Sequence, residues 1–352
     1  MKVLVLGGTG AMGIHLVKLL GDSGNIVTVT SRSKINSTKN VNYVCGNAHD
    51  DVFLAKLLKE SWDVIVDFMV YSTSKFELRI NTLLKRTKQY VYLSSARVYS
   101  NNDSIIKENT PRLLDVSNDN DFLATDEYSL SKAKQENILK DTGKLNWTII
   151  RPYITYDEKR LQLGFLEKEA WLYRALKGRT IVFSSSIAES ITTLTYGFDV
   201  ARGIFAVLNK DNAFGNTFHI TVDDSNKWEN ILQLYISVIE RHIGYRPKYI
   251  LLNDDETLKM HSNVYQIKYD RMFNRVFDNT KINRFIDTKD FKKTLDGLEI
   301  CLQSFLINPK FNNVYWPAEA MKDKICREHT SFIEIKNIKS ILQYIYYRYL
   351  KK

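Results

Sequence analysis

Tyr128 and Lys132, in the stretch EYSLSK, stand four positions apart. A tyrosine and a lysine at that spacing share one face of a helix. They can act as a proton-transfer pair, because a nearby ammonium favours a phenolate that otherwise forms only near pH 10. The chain holds 20 tyrosines, and the same spacing recurs at Tyr71/Lys75, Tyr173/Lys177 and Tyr347/Lys351. Position separates the four. Tyr128 and Lys132 open a helix directly after the fifth strand-like run, whose end, LSSARVY, offers Ser95. A hydroxyl that is to be oxidised must lose its proton as its hydride departs; Tyr128 can take that proton, and Ser95 can orient the oxygen.

Such chemistry needs a hydride acceptor, and the first strand leads into a loop built to hold one. LGGTGAMG places Gly7, Gly10 and Gly13 between an apolar strand and an amphipathic helix. Glycines there allow a tight turn and close approach of a pyrophosphate, and the helix N-terminus favours its charge. The loop Gly7, Thr9, Gly10, Ala11, Met12, Gly13 is therefore read as a dinucleotide site. The second strand ends Thr30-Ser31-Arg32-Ser33, without the carboxylate that would accept a ribose 2′-OH. Arg32, helped by Ser31, suits a 2′-phosphate, which favours NADP over NAD. Asn47, in CGNAHD, is placed to bond the adenine edge, and Tyr71 to border the nicotinamide, with Lys75 on the surface. Tyr128 and Lys132 complete the cofactor contacts.

These residues require a scaffold, and the first half of the chain supplies it. Near-continuous apolar runs (KVLVLGG, NIVTVTSR, VNYVCGN, WDVIVDFM, QYVYLSSA, NWTIIRP) alternate with helical patterns. That pattern predicts a Rossmann-type, doubly wound parallel sheet covered on both faces. The first helix reads as ending at Gly21. Beyond Pro152 the alternation weakens, and a smaller α/β substrate-covering region is expected. Residues 1–152 plus about 190–208 are assigned to the dinucleotide-binding domain, and 153–189 and 209–352 to the substrate-binding region. IEIKNIKSILQYIYYRYLKK reads as a basic, tyrosine-rich helix that packs on the body, with membrane-surface or partner contact as the alternative.

The totals set limits. The chain has 352 residues, a formal net charge of +10 and 44% apolar residues, which suits a sizeable buried core. No apolar run approaches the roughly 18 residues of a membrane span, and the first strand begins too early for a signal peptide. Cys45, Cys301 and Cys326 are scattered, without metal-ligand spacing, so no metal site is expected and a reducing, cytoplasmic setting is. The positive charge lacks any run of five basic residues and reads as a solvated surface rather than a nucleic-acid interface.

In order, the glycine loop, SSARVY, Tyr-x-x-x-Lys, RPYITY and FDVARG resemble the extended short-chain dehydrogenases/reductases of the nucleotide-sugar epimerase/dehydratase group. The resemblance covers residues 1 to about 205 and is weaker beyond, at FDNTKINRFI and KTLDGLEICLQSF. It implies that Ser95, Tyr128 and Lys132 are the catalytic serine, tyrosine and lysine. It further implies a Rossmann fold, NAD(P), a nucleotide-diphosphate sugar and a homodimer through the helices after strands four and five. Dehydratases of the group carry Asp-Glu where this chain has Ala96 and Arg97, which argues against 4,6-dehydration. Thr125-Asp126-Glu127 spells those letters beside Tyr128 instead, and Ser100 replaces the usual glycine.

The leading expectation is a nucleotide-sugar epimerase acting at C4 through a transient keto-sugar, with Tyr128 as acid/base. An NADPH-dependent reductase of a keto-sugar or other carbonyl is the alternative that Arg32 favours. A non-catalytic dinucleotide- or RNA-binding protein is the third. Arg246, Lys248, Arg271 and Arg275 are candidates for the sugar-nucleotide phosphates, and His219 reads as structural.

Overall fold

Val3, Leu4, Val5 and Leu6 are all completely buried, as a parallel strand with helices on both faces must be. The computed structural model describes residues 1–101, 105–261 and 263–351. The chain divides into two bodies: residues 1–157, 193–225 and 275–294 form the first, and 158–192, 226–274 and 295–352 the second.

Along the first body run β1 (Lys2–Leu6), α1 (Gly13–Asp22), β2 (Ile26–Ser31), β3 (Val41–Cys45), α2 (Asp51–Leu57), β4 (Trp62–Asp67), α3 (Thr73–Lys85) and β5 (Thr87–Leu93). Two single turns, α4 (Leu113–Val116) and α5 (Asn120–Leu123), precede α6 (Tyr128–Asp141), β6 (Trp147–Pro152) and β7 (Ile154–Tyr156). The chain then supplies the second body with β8 (Gln162–Leu163), β9 (Leu166–Glu167), α7 (Lys168–Leu176), β10 (Ile181–Ser184), α8 (Ser185–Glu189) and β11 (Ile191–Thr192). It returns to the first through β12 (Leu194–Tyr196), α9 (Gly197–Val207) and β13 (Asn216–Ile220).

The main sheet has seven parallel strands in the order β13-β6-β5-β4-β1-β2-β3. Strand order reverses between β1 and β4, the switch point where a doubly wound sheet binds ligands. One face packs Leu16, Val17 and Leu20 of α1 with Val200, Ile204 and Val207 of α9 against β-strand valines. The other packs Phe76, Ile80 and Leu83 of α3 against Tyr90, Tyr92 and Ile149.

Two expectations are corrected here. Gly21 does not stop α1: it lies inside the helix against Val41, and the turn comes at Gly24, with φ of +75°. Residues 153–157, 209–225 and 275–294, assigned above to the substrate-binding region, fall in the first body. For residues 209–225 the cause is β13, which pairs with β6 residue by residue from Asn216↔Thr148 to Ile220↔Pro152. Its short run, TFHIT, carries no mark of a partner so far upstream.

The second body continues with β14 (Asn226–Lys227), α10 (Trp228–Ile243), β15 (Tyr249–Leu252), α11 (Asp254–Met260), α12 (Val264–Gln266), α13 (Thr294–Ile307), α14 (Trp316–Cys326) and α15 (Ile338–Ile345). Trp171 of α7 stacks on Tyr235 of α10, with ring centroids 4.4 Å apart. Arg174 is fully buried and meets Asp323 at 2.7 Å, Glu328 at 2.9 Å and Glu319 at 3.0 Å. No helix among the described residues is long and apolar enough to cross a membrane.

Candidate active site

The glycine loop packs as its sequence demands. A Cβ on Gly13 would stand 2.7 Å from the Gly8 carbonyl carbon, so helix and loop can approach this closely only with glycine there. Gly7 has φ of +74° and donates its N–H to Thr30 Oγ1 at 3.0 Å. No side chain caps α1, and the positive end of its dipole favours an anion beside the loop. Beside the loop lies a groove of about 330 Å³, lined by Gly7, Thr9, Ser31, Arg32, Asn47 and Met69 among others. The cradle and groove suit a dinucleotide, with the loop against its pyrophosphate and the ends of β2 and β3 against its adenosine.

Arg32 is exposed in that groove, and its guanidinium makes no hydrogen bond or ion pair among the described residues. Ser31 Oγ instead closes a turn, donating to Ser33 O at 2.8 Å and accepting from Ser33 N at 3.1 Å. Asn47 lines the groove, and its Oδ1 accepts from His49 N at 3.1 Å. Tyr71 is not among the groove's lining residues. It is buried, and its hydroxyl donates to Asp67 Oδ2 at 3.0 Å.

Ser95 lies just beyond the carboxyl end of β5, and Tyr128 and Lys132 lie in the first turns of α6. Ser95 Oγ accepts from Arg97 N at 3.2 Å and caps a short 3₁₀ turn, Ala96–Val98. Glu127 caps α6, accepting from Ser129 N at 2.7 Å. Lys132 is buried; its Nζ donates to Leu93 O at 2.7 Å and lies 5.9 Å from the centre of the Tyr128 ring. Burial lowers the lysine to about 8, against the opposing fields of Asp67 and Glu136. A cation thus sits where it can favour the Tyr128 phenolate.

The other three pairs do structural work. Lys75 bonds Asp51 on α2. Tyr173 donates to Glu334 at 2.6 Å, with Lys177 over its ring. Lys351 lies 4.6 Å from the Tyr347 ring centre. His219 is held as expected of a structural histidine: Nε2–H donates to Asp278 O at 2.7 Å, and Nδ1 accepts from Tyr99 Oη at 3.3 Å. Burial lowers its pKa. Of the phosphate candidates, Arg246 pairs with Glu240, and Arg271 with Asp270. Lys248 is exposed, and buried Arg275 donates to the carbonyls of Tyr99 and Ser100.

Three residues escape a reading by motif. Arg97 was marked only as a departure; its guanidinium lies 5.2 Å from the Tyr128 ring centre and pairs with Glu127 at 2.5 Å. Asp67 is completely buried, taking hydrogen bonds from Met69 N, Tyr71 and Tyr90 at 2.8–3.0 Å. Burial raises its pKa against those three donors. Glu136, one turn beyond Lys132, accepts from Ser94 Oγ at 2.6 Å and from Arg151 at 2.6 and 2.8 Å. The i+4 spacing from Lys132 was the available signal for Glu136.

A seven-stranded parallel sheet with a glycine loop after its first strand is the Rossmann-type fold of the extended short-chain dehydrogenases/reductases. Residues 3–221 match the sequence model of the NAD dependent epimerase/dehydratase family, and the chain belongs to that family. It is 27% identical over 237 residues to the chloroplast stem-loop binding protein of 41 kDa b of Arabidopsis thaliana. That match covers 62% of this chain and 58% of the relative, less than two thirds of its length. Among solved structures, the fold is similar to Bordetella bronchiseptica WbmH in complex with NAD+, with a TM-score of 0.66 at 14% identity, covering 86% of this chain and 98% of that one. It is similar also to UDP-glucuronic acid 4-epimerase of Bacillus cereus in complex with UDP-glucuronic acid and NAD (TM-score 0.64, 17% identity, 88% and 100% covered). UDP-glucose 4-epimerase of Bifidobacterium longum, in complex with NAD+ and UDP, gives 0.64 at 18% identity, with 88% and 99% covered.

Proposed function

We propose that the chain is a nucleotide-sugar epimerase acting at C4 through a transient keto-sugar. The observation that carries this reading is the placement of Lys132, buried on Leu93 O beside the Tyr128 ring, at the switch-point end of the sheet. When bound, the nicotinamide supplies a reversible hydride acceptor. Tyr128 takes the substrate hydroxyl proton and later returns it. Lys132 holds the positive charge that favours the phenolate, and Ser95 orients the oxygen. Ala96 and Arg97 stand where dehydratases carry their acid pair, so loss of water has no proton donor there. The homodimer through α3 and α6 belongs to the same proposal.

Lys132 gives the reaction a pH signature. Its ammonium is present below about 8 and lost above it, so kcat/KM falls on the alkaline side near pH 8. Lys132→Arg keeps its charge throughout. The expected profile of that variant is lower in height and flat to pH 10; an unchanged alkaline fall would assign the titration to another group.

A reductase reading is supported by Arg32, whose guanidinium stands ready for a 2′-phosphate in the groove. Arg32→Ala is expected to weaken NADP binding roughly 10–100-fold, the worth of a charged hydrogen bond, and to leave NAD within about twofold. Equal losses for both dinucleotides would remove Arg32 from phosphate recognition. The purified protein distinguishes the two enzymes directly: an epimerase turns over on bound dinucleotide, whereas a reductase consumes added NADPH one for one. A non-catalytic binding reading has in its favour the name of the Arabidopsis relative, a stem-loop binding protein; it predicts that Tyr128→Phe leaves every activity unchanged.

A further inference from the structure

The helix α15 and the turn that continues it, Tyr346–Leu350, have two unlike faces. One is fastened to the second body. Ile341, Tyr344 and Tyr347 pack with Trp316, Ala320 and Ile335. Tyr344 Oη donates to Asp323 at 2.6 Å and accepts from Thr330 N at 2.9 Å, and Arg348 donates to Glu328 O at 3.1 Å. The other face is apolar and open. Ile338 is 77% exposed, Leu342 62% and Tyr346 50%, at intervals of four residues, and Tyr349 and Leu350 extend the stripe. Ile333, just before the helix, is 96% exposed.

The charges beside this stripe have one sign. Lys336, Lys339 and Lys351 are exposed. Glu334 is the only acid between Ser331 and Lys351, and it is turned inward to Tyr173 and Arg179. An apolar row with tyrosines and flanking lysines matches the acyl boundary and negative headgroups of an anionic leaflet. Self-pairing fits worse, since an isologous contact sets lysines against lysines. Ile338, Leu342 and Leu350, three of the five stripe residues, offer neither stacking nor hydrogen bonds to a nucleic acid, which leaves only Tyr346 and Tyr349 to stack. We propose that this face of α15 docks the protein peripherally on an anionic bilayer surface.

The test is flotation of the full chain with vesicles of 70:30 phosphatidylcholine:phosphatidylglycerol and of phosphatidylcholine alone. Three exposed lysines at about fivefold each predict roughly hundredfold tighter partitioning on the anionic vesicles, weakening in 0.5 M salt. Ile338→Asp with Leu342→Asp is expected to reduce binding at least tenfold, and Lys336→Glu with Lys339→Glu to remove the anionic preference. All four residues are exposed, so dinucleotide binding and thermal midpoint should hold. Failure of the wild-type protein to float, or equal flotation of both variants, overturns the proposal. So does a concentration-dependent dimer, or a shift of an RNA hairpin, that the same substitutions abolish without vesicle binding. None of these outcomes depends on the sugar chemistry.

Discussion

Replacing Tyr128 by phenylalanine is expected to lower kcat for sugar epimerisation about a thousandfold, within the range for loss of a positioned acid/base. Phenylalanine keeps the ring that Lys132 and Arg97 flank at 5.9 and 5.2 Å, so the fold should persist. The hydroxyl, and with it the transferable proton, is removed. Binding of NAD or NADP, measured by fluorescence titration, should change little, because the phosphate loop and the groove lie on other strands. A drop in kcat and kcat/KM by the same factor marks an interaction made only in the transition state. Full activity in Tyr128→Phe would remove the tyrosine from the chemistry.

The second large effect is on stability. Glu136 is buried between Ser94, Arg151 and Arg112, and Arg151 is itself buried. Glu136→Leu leaves the Arg151 guanidinium inside the body without its carboxylate. Breaking such a pair costs roughly 3–5 kcal/mol, which urea or thermal unfolding of the first body would register. Adding Arg151→Leu should recover most of the loss, because the desolvated charge is then gone. The pH dependence has a defined sign. Burial pushes the Glu136 carboxyl up, but Arg151, Ser94 and Arg112 outweigh it and hold the group below its ordinary 4.5. Its contribution is therefore present above about 4.5 and lost as pH falls through the folded value. In Glu136→Gln, that part of the acid destabilisation should disappear.

The first body was largely legible because its strands are buried on both faces and read as plain apolar runs. The glycine loop was legible because close packing at Gly13 admits no other residue. The polar interior was not. YSLSKAKQENILKD is largely polar, yet Ser131, Lys132, Gln135 and Glu136 are all buried. Their hydrogen-bond partners, Leu93 O, Tyr71 O, Tyr92, Ser94 and Arg151, come from other elements. Only the tertiary fold assembles them. Asp67 was hidden for the same reason: its three donors become neighbours only after folding. Residues 275–294 return to the first body without any periodic pattern, since their single turns Ile282–Arg284 and Thr288–Asp290 are too short to carry one.

The most direct measurement is proton NMR of UDP-, dTDP-, GDP- and CDP-sugars incubated in D2O with the purified protein and no added reductant. The expected result is that one of these sugars converts to its C4 epimer until both are present at equilibrium. The hydrogen at C4 should be retained without deuterium, because it leaves and returns within the site while only the hydroxyl proton exchanges through Tyr128. Stoichiometric consumption of added NADPH with no epimer, or deuterium at C4, would contradict an epimerase that works by internal return of hydride.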